Sequence, residues 1–200
     1  MDSGKIVRDD NPKFEECTVY ETRFRCLSTG QVWRLYKTVN EWELCSENKP
    51  NSDGYIQVKI TTDDGDVKTI GLHRIIYYAH NPSFDIYDGK IEIDHRDRDR
   101  LNNAIGNLRI ATRSENSCNR GVRKTSRTGI KGVFPQCNTG KWGIRIQIWK
   151  DGKLAFDKFF FRGFGKVPEG DLSKYITKEM IDLRNEKLKE YHQEFACLAS

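Results

Sequence analysis

The chain has 200 residues, 36% of them hydrophobic and 32% charged, with a formal net charge of +5; that is polar for one compact domain and points to small modules in series. No apolar run approaches the ~18 residues of a membrane span. The six cysteines (Cys17, Cys26, Cys45, Cys118, Cys137, Cys197) form no CxxC pair and follow no signal peptide, so neither a zinc ribbon nor a secreted disulfide framework is indicated, and free thiols in a soluble intracellular protein are expected.

Residues 1–16 are charged and poor in apolar side chains and read as a flexible leader. Residues 17–72 hold short β-like runs separated by turn signals: VYETRFRCL, Ser-Thr-Gly, QVWRLYKTV, Asn51-Ser-Asp-Gly54, YIQVKI, Asp63-Asp-Gly65 and VKTIGL. Together they predict a small β meander. The run HRIIYYAH, stopped by Asn81-Pro82, predicts a short helix over 73–80, with His73 and His80 in core or junction roles.

The informative stretch is IEIDHRDRDRLNNAIGNLRIATRSENSCNR, residues 91–120. Ile91 and Ile93 alternate with Glu92 and Asp94, so Asp94 and His95 sit where a strand stops and polar side chains face a cleft. Asn107 follows twelve residues after His95, and Asn116 nine after that, within a helix opened by Thr-Arg-Ser-Glu. Hydrolysis of a phosphodiester needs an activated water and neutralised phosphate charge, which one base and one metal supply together. His95 fits the base, and Asp94 and Asn116 offer oxygen ligands suited to a hard ion. Asn107 suits hydrogen bonding of the backbone that holds His95.

Charge supports a polyanionic partner. Residues 1–94 carry 12 basic against 17 acidic groups, whereas 96–131 carry 10 against 3. GVRKTSRTG, after Arg120, is basic, Gly-bounded and aperiodic, so 121–130 reads as a linker whose Arg123, Lys124 and Arg127 meet phosphates. Residues 131–200 then predict three strands (IKGVFPQ, KWGIRIQIWK, KLAFDKFFF) and a helical tail from about Ser173 to Phe195. In the second strand Trp142, Ile144, Ile146 and Ile148 share one face and Arg145, Gln147 and Trp149 the other, and the apolar face is expected to pack on Ile181, Leu188, Tyr191 and Phe195 of the tail.

The 91–120 stretch resembles the HNH homing endonucleases of phages and introns. The residues that carry the likeness are Asp94-His95, Asn102-Asn103, Asn107-Leu108, Thr112 and Glu115-Asn116, preceded by His73-Arg74. The resemblance implies a ββα-metal nuclease over 73–120 that hydrolyses double-stranded DNA. Asp94 and Asn116 would hold one divalent ion, His95 would be the general base and Asn107 the structural asparagine. Asn116 replaces the family's second histidine, which tilts the ion from Zn²⁺ toward Mg²⁺ or Mn²⁺. "STGQVWRL" and "DGYIQVKI" are similar to an accessory repeat found ahead of such nucleases, although a subdomain that only props the catalytic hairpin fits equally.

The C-terminal frame KGV, GKW, I-x-I resembles the APETALA-type (ethylene-response) DNA-binding domain of plant factors, which implies a DNA face carrying Lys131, Arg145, Gln147 and Lys158. Phe134 and Gln136 stand where the plant domain has arginines. The expectation is thus an α+β protein: β-rich N-terminal part, HNH core, and C-terminal three-stranded sheet plus helix. It would act as an endonuclease on double-stranded DNA, in the host cytoplasm if phage-encoded; a monomer with one site would nick, while the sequence leaves open whether one or both strands are cut and whether the chain dimerises. The rival is a DNA-binding regulator with a vestigial nuclease fold.

Overall fold

The computed structural model describes residues 13–36 and 38–196. Most of the expected leader, residues 1–12, and Cys197 lie outside them. The protein is mixed α/β, rich in strands with few helices, and divides into two compact units, one ending at Ile110 and the next beginning at Ala111. Among the described residues no helix is long and apolar enough to cross a membrane, and the five described cysteines are free thiols.

In the first unit, strands β1 (Glu15–Val19), β2 (Thr22–Cys26), β3 (Val32–Tyr36) and β4 (Glu41–Leu44) form an antiparallel meander in that order. The run VYETRFRCL, expected as one strand, is two, because Tyr20 turns the chain at φ 50°. β1 also begins inside the stretch expected as leader, and β4 was not anticipated, since EWEL has little β-branched content. β5 (Gln57–Thr61) and β6 (Val67–Gly71) form a separate hairpin rather than extending the meander.

Helix α1 (Leu72–His80) follows directly, burying Leu72, Ile75, Ile76 and Ala79 at the 3–4 spacing of one helical face. Asn81 ends it, its N–H bonded to Tyr77 O and Tyr78 O ahead of Pro82, which cannot continue a helix. α1 packs on β1, β2 and β7 (Glu92–His95), the last paired with β8 (Leu108–Ala111). Val19, Phe24, Ile60, Ile76, Ile93 and Leu108 belong to the same core, so the β7–β8 hairpin and the meander share one apolar interior. Arg74 fixes the loop into β7 by donating to Ile86 O (2.8 Å), Asp88 O (3.0 Å) and Ile91 O (2.6 Å). One guanidinium thus satisfies three loop carbonyls that pair with no strand.

The second unit opens with helix α2 (Arg113–Asn119), started by a capping box between Thr112 and Glu115. Strands β9 (Val133–Asn138), β10 (Lys141–Lys150) and β11 (Lys153–Phe164) form an antiparallel sheet with β10 central. The expected tail helix is shorter than its reading: Ser173–Tyr175 is a 3-10 turn, Thr177 caps α3 (Lys178–His192), and Gln193–Phe195 is a second 3-10 turn. Ile144 and Ile146 do face α3, but they pack with Val133 and Met180. The deeply buried α3 residues are Met180 and Arg184, while the expected Ile181, Leu188 and Tyr191 are only half-buried. Arg184 earns its place by donating to Lys131 O at 2.9 Å, which a sequence pattern of apolar residues cannot show.

Candidate active site

Asp94 and His95 close β7 and are 5% and 3% exposed, so both are covered rather than open to a cleft. The Asp94 carboxylate is gripped by Arg109 of β8, whose Nε and Nη2 lie 2.9 and 2.8 Å from Oδ2. Arg109 is itself 6% exposed. His95 points elsewhere: its Nε2 is 3.0 Å from Oδ1 of Asn103, a residue 4% exposed. With a carbonyl oxygen as partner, Nε2 is the donor of this pair.

Two rings wall His95. His73 of α1 lies 5.3 Å away between centroids and Tyr55 6.0 Å away, with the Arg100 guanidinium 4.8 Å above Tyr55. Burial, then the neighbouring His95 and Arg74, push the His73 imidazole down to about 3, so His73 is neutral over the whole working range.

The loop between β7 and β8 is tied by amides. Asn107 Oδ1 accepts from Asp97 N (3.1 Å), and its Nδ2 donates to Asn102 O (2.8 Å) and Asp97 Oδ1 (2.9 Å). Arg96 N donates to Asn107 O at 2.8 Å, which joins the start of the loop to its end. Although burial opposes it, hydrogen bonds from Asn102, the Asp99 N–H and Asn107 hold the Asp97 carboxyl below its usual range. The meander props this loop: Ile105 N donates to Ser28 O at 2.9 Å, and Gly30, at φ 99°, lies so close to the Asn103 backbone that a Cβ there would stand 2.9 Å from its carbonyl carbon.

Asn116 lies in the second unit, half-buried in α2, with its N–H bonded to Thr112 O at 2.9 Å. Lys131, expected on the DNA face, instead donates to Ser117 O (2.6 Å), Cys118 O (2.9 Å) and Arg120 O (3.0 Å), satisfying the end of α2. Arg127 is also engaged, with Gly170 O at 3.0 Å and with Pro168 O, and Thr128 is buried, so the expected linker is pinned to its unit. Arg123 and Lys124 are exposed. Arg145 and Gln147 lie on the sheet face away from α3, but Arg145 forks onto Asp157 and also donates to Gln136. Lys158 pairs with Ile146 and therefore shares the α3 side of the sheet, opposite Arg145.

Asn103 and Arg109 carry no expected role in the sequence pattern. Asn103 was visible within the Asn102-Asn103 pair, but Arg109 left no signal, because β8 buries Arg109 and exposes Ile110, the reverse of hydrophobic alternation.

Residues 71–118, which hold Asp94, His95, Asn107 and Asn116, match the family model described as HNH endonuclease. The H-N-H endonuclease F-TflI of Escherichia phage T5 is 35% identical over 75 residues, 38% of this chain and 36% of the relative. An uncharacterized HNH endonuclease of Acanthamoeba polyphaga mimivirus is 32% identical over 121 residues, 54% of this chain and 58% of the relative. The matches thus span less than two thirds of each relative's length. A solved structure described as "DNA binding and cleavage by the HNH homing endonuclease I-HmuI" has a TM-score of 0.39 and 24% identity, covering 52% of this chain and 55% of that one, too distant to carry an argument. The APETALA-type reading found no counterpart among these matches.

Proposed function

We propose that the chain is a metal-dependent DNA endonuclease of the HNH homing type that hydrolyses phosphodiester bonds in double-stranded DNA, one strand at a time. The observation that carries this reading is the coincidence of the family match over 71–118 with a buried Asp94-His95 pair whose imidazole is oriented by an amide.

His95 acts as general base. Asn103 holds the proton on Nε2, which turns the Nδ1 lone pair to the water that attacks phosphorus. His73 and Tyr55 exclude solvent around the ring and keep it in one orientation. Asn107 sets the loop that brings Asn103 back to His95 across eight residues.

The donor chemistry proposed for the metal is a carboxylate from Asp94 and an amide oxygen from Asn116, a set suited to one Mg²⁺ or Mn²⁺ and poor for Zn²⁺. Arg109 occupies one oxygen of Asp94 and fixes the orientation of that carboxylate. When bound, the ion supplies charge neutralisation at the phosphate and the leaving oxygen. Affinity for the duplex comes from the second unit, where residues 111–200 carry 18 basic against 10 acidic groups, with Arg123 and Lys124 exposed as phosphate contacts.

The test is supercoiled plasmid with Mg²⁺, with Mn²⁺, and with chelator. Conversion to the open circle with either ion and none in chelator is expected, and full cleavage in chelator would overturn the metal requirement.

A further inference from the structure

The face of the second-unit sheet turned away from α3 is expected to read base edges through Arg145 and Gln147. In the structure those two side chains are already committed. Arg145 forks onto Asp157, and hydrogen bonds from Arg145 and then Gln147 hold the Asp157 carboxyl below its usual range. What the face leaves outward is aromatic: Phe161 is 48% exposed and Phe164 76%.

Those two rings share a face because of a backbone irregularity. Phe161 pairs with Gly143 and Gly163 with Trp142, so Arg162 is an extra residue in β11. In a regular strand residues three apart point to opposite faces; the bulge cancels that alternation and brings Phe161 and Phe164 together, edge to face, with centroids 5.2 Å apart. Two glycines permit it. A Cβ on Gly143 would collide with Phe160 O at 2.0 Å, and one on Gly163 would meet the Trp142 ring at 2.6 Å. Trp142, on the opposite face by ordinary alternation along β10, packs edge to face against Tyr175.

Lys141 completes the group, its ammonium 5.5 Å from the Phe161 centroid and 5.9 Å from that of Phe164. Residues 131–166, which hold the three strands, carry eight basic against two acidic groups, whereas 169–194, which hold α3, carry five against seven. The sheet therefore presents two π surfaces and a cation in a positive field, with no uncommitted hydrogen-bonding fork between them.

We propose that Phe161, Phe164 and Lys141 form a stacking platform for unpaired DNA bases, the two rings taking successive bases and Lys141 the phosphate beside them. In a closed duplex phenylalanine can reach little beyond a thymine methyl; its ring face is used fully where bases are unstacked, and there stacking tolerates any sequence. This rests on reading the second unit as the DNA-binding part, and it assigns that unit a preference for opened or single-stranded DNA.

The test uses the full chain in chelator, so that nothing is cut, and compares fluorescence anisotropy on a labelled thymidine oligonucleotide of about 16 nucleotides with that on a duplex of equal length. Phe161→Ala with Phe164→Ala should weaken single-strand binding at least about tenfold, roughly the effect of one lost stacked base, and leave duplex binding far less changed. Phe164→Trp should hold or improve it. Equal weakening on both DNAs would overturn the proposal, as would unchanged single-strand affinity in the double variant. So would an effect of the double variant confined to a concentration-dependent dimer, which would make the face a contact between copies. Plasmid cleavage by the wild type, measured in parallel, bears on the nuclease reading alone.

Discussion

Asp94 and His95 are adjacent in the chain but held by different chemistry, one by a guanidinium and the other by an amide. Both partners are buried, so each attachment has consequences beyond orientation. Arg109→Met should leave the buried Asp94 carboxylate without its fork and destabilise the first unit by about 3–5 kcal/mol, as expected for breaking a buried pair from one side. The urea midpoint reports this, and a loss under ~1 kcal/mol would mean that the pair behaves as an exposed one. His73 gives a pH signature. Its folded value of about 3 lies below the ordinary 6.5, so between those limits the unfolded state binds the extra proton. Stability from this residue is therefore fully present above pH 6.5 and falls as pH drops toward 3, by up to ~1.4 kcal/mol per pH unit. His73→Gln should flatten the decline between pH 7 and 5, a window above the range in which Asp97 titrates; an unchanged slope would contradict the assignment.

At the scale of elements, the β2–β3 turn matters because it supports Asn103, the hydrogen-bond partner of His95. Gly30 combines a left-handed φ of 99° with contact to the Asn103 backbone. Gly30→Ala strains the turn and pushes on Asn103, so cleavage should fall by more than the accompanying loss of stability explains, while a variant of normal activity would detach the meander from the site. The elements themselves were largely legible in the sequence. Helix α1 followed from the periodicity of HRIIYYAH and the Asn81-Pro82 stop, α2 from the Thr112 to Glu115 capping box, and the three C-terminal strands from alternation and Gly turns. What escaped was set by tertiary context. β4 is held by pairing with β3 rather than by its own propensity, and the run through Tyr20 is broken by a left-handed turn at a residue that carries no turn signal. Register decided the rest: the pairing of Lys158 with Ile146 puts that lysine on the α3 side, and no composition reveals a register.

For the whole molecule, spacing in the sequence nominates Asp94, His95, Asn107 and Asn116 as candidates and leaves open what each one touches. The contacts of Asn103 and Arg109 are beyond spacing, because they require the loop to fold back and β8 to bury a charge. The basic groups expected on DNA divide similarly: Arg123 and Lys124 remain exposed, while Lys131 and Arg127 satisfy carbonyls of their own unit. Charge is segregated between the units, with residues 1–110 carrying 16 basic against 19 acidic groups and 111–200 carrying 18 against 10. Binding and chemistry should therefore separate on mutation. The most direct measurement compares the wild type with His95→Ala for plasmid cleavage in Mg²⁺ and for gel-shift affinity on the same DNA. A positioned base contributes a factor of about 10²–10⁴, so cleavage should collapse by that much with DNA affinity nearly intact. Wild-type cleavage by His95→Ala would contradict the account, and a wild-type protein that binds DNA but never cuts it would leave a regulator built on a nuclease fold.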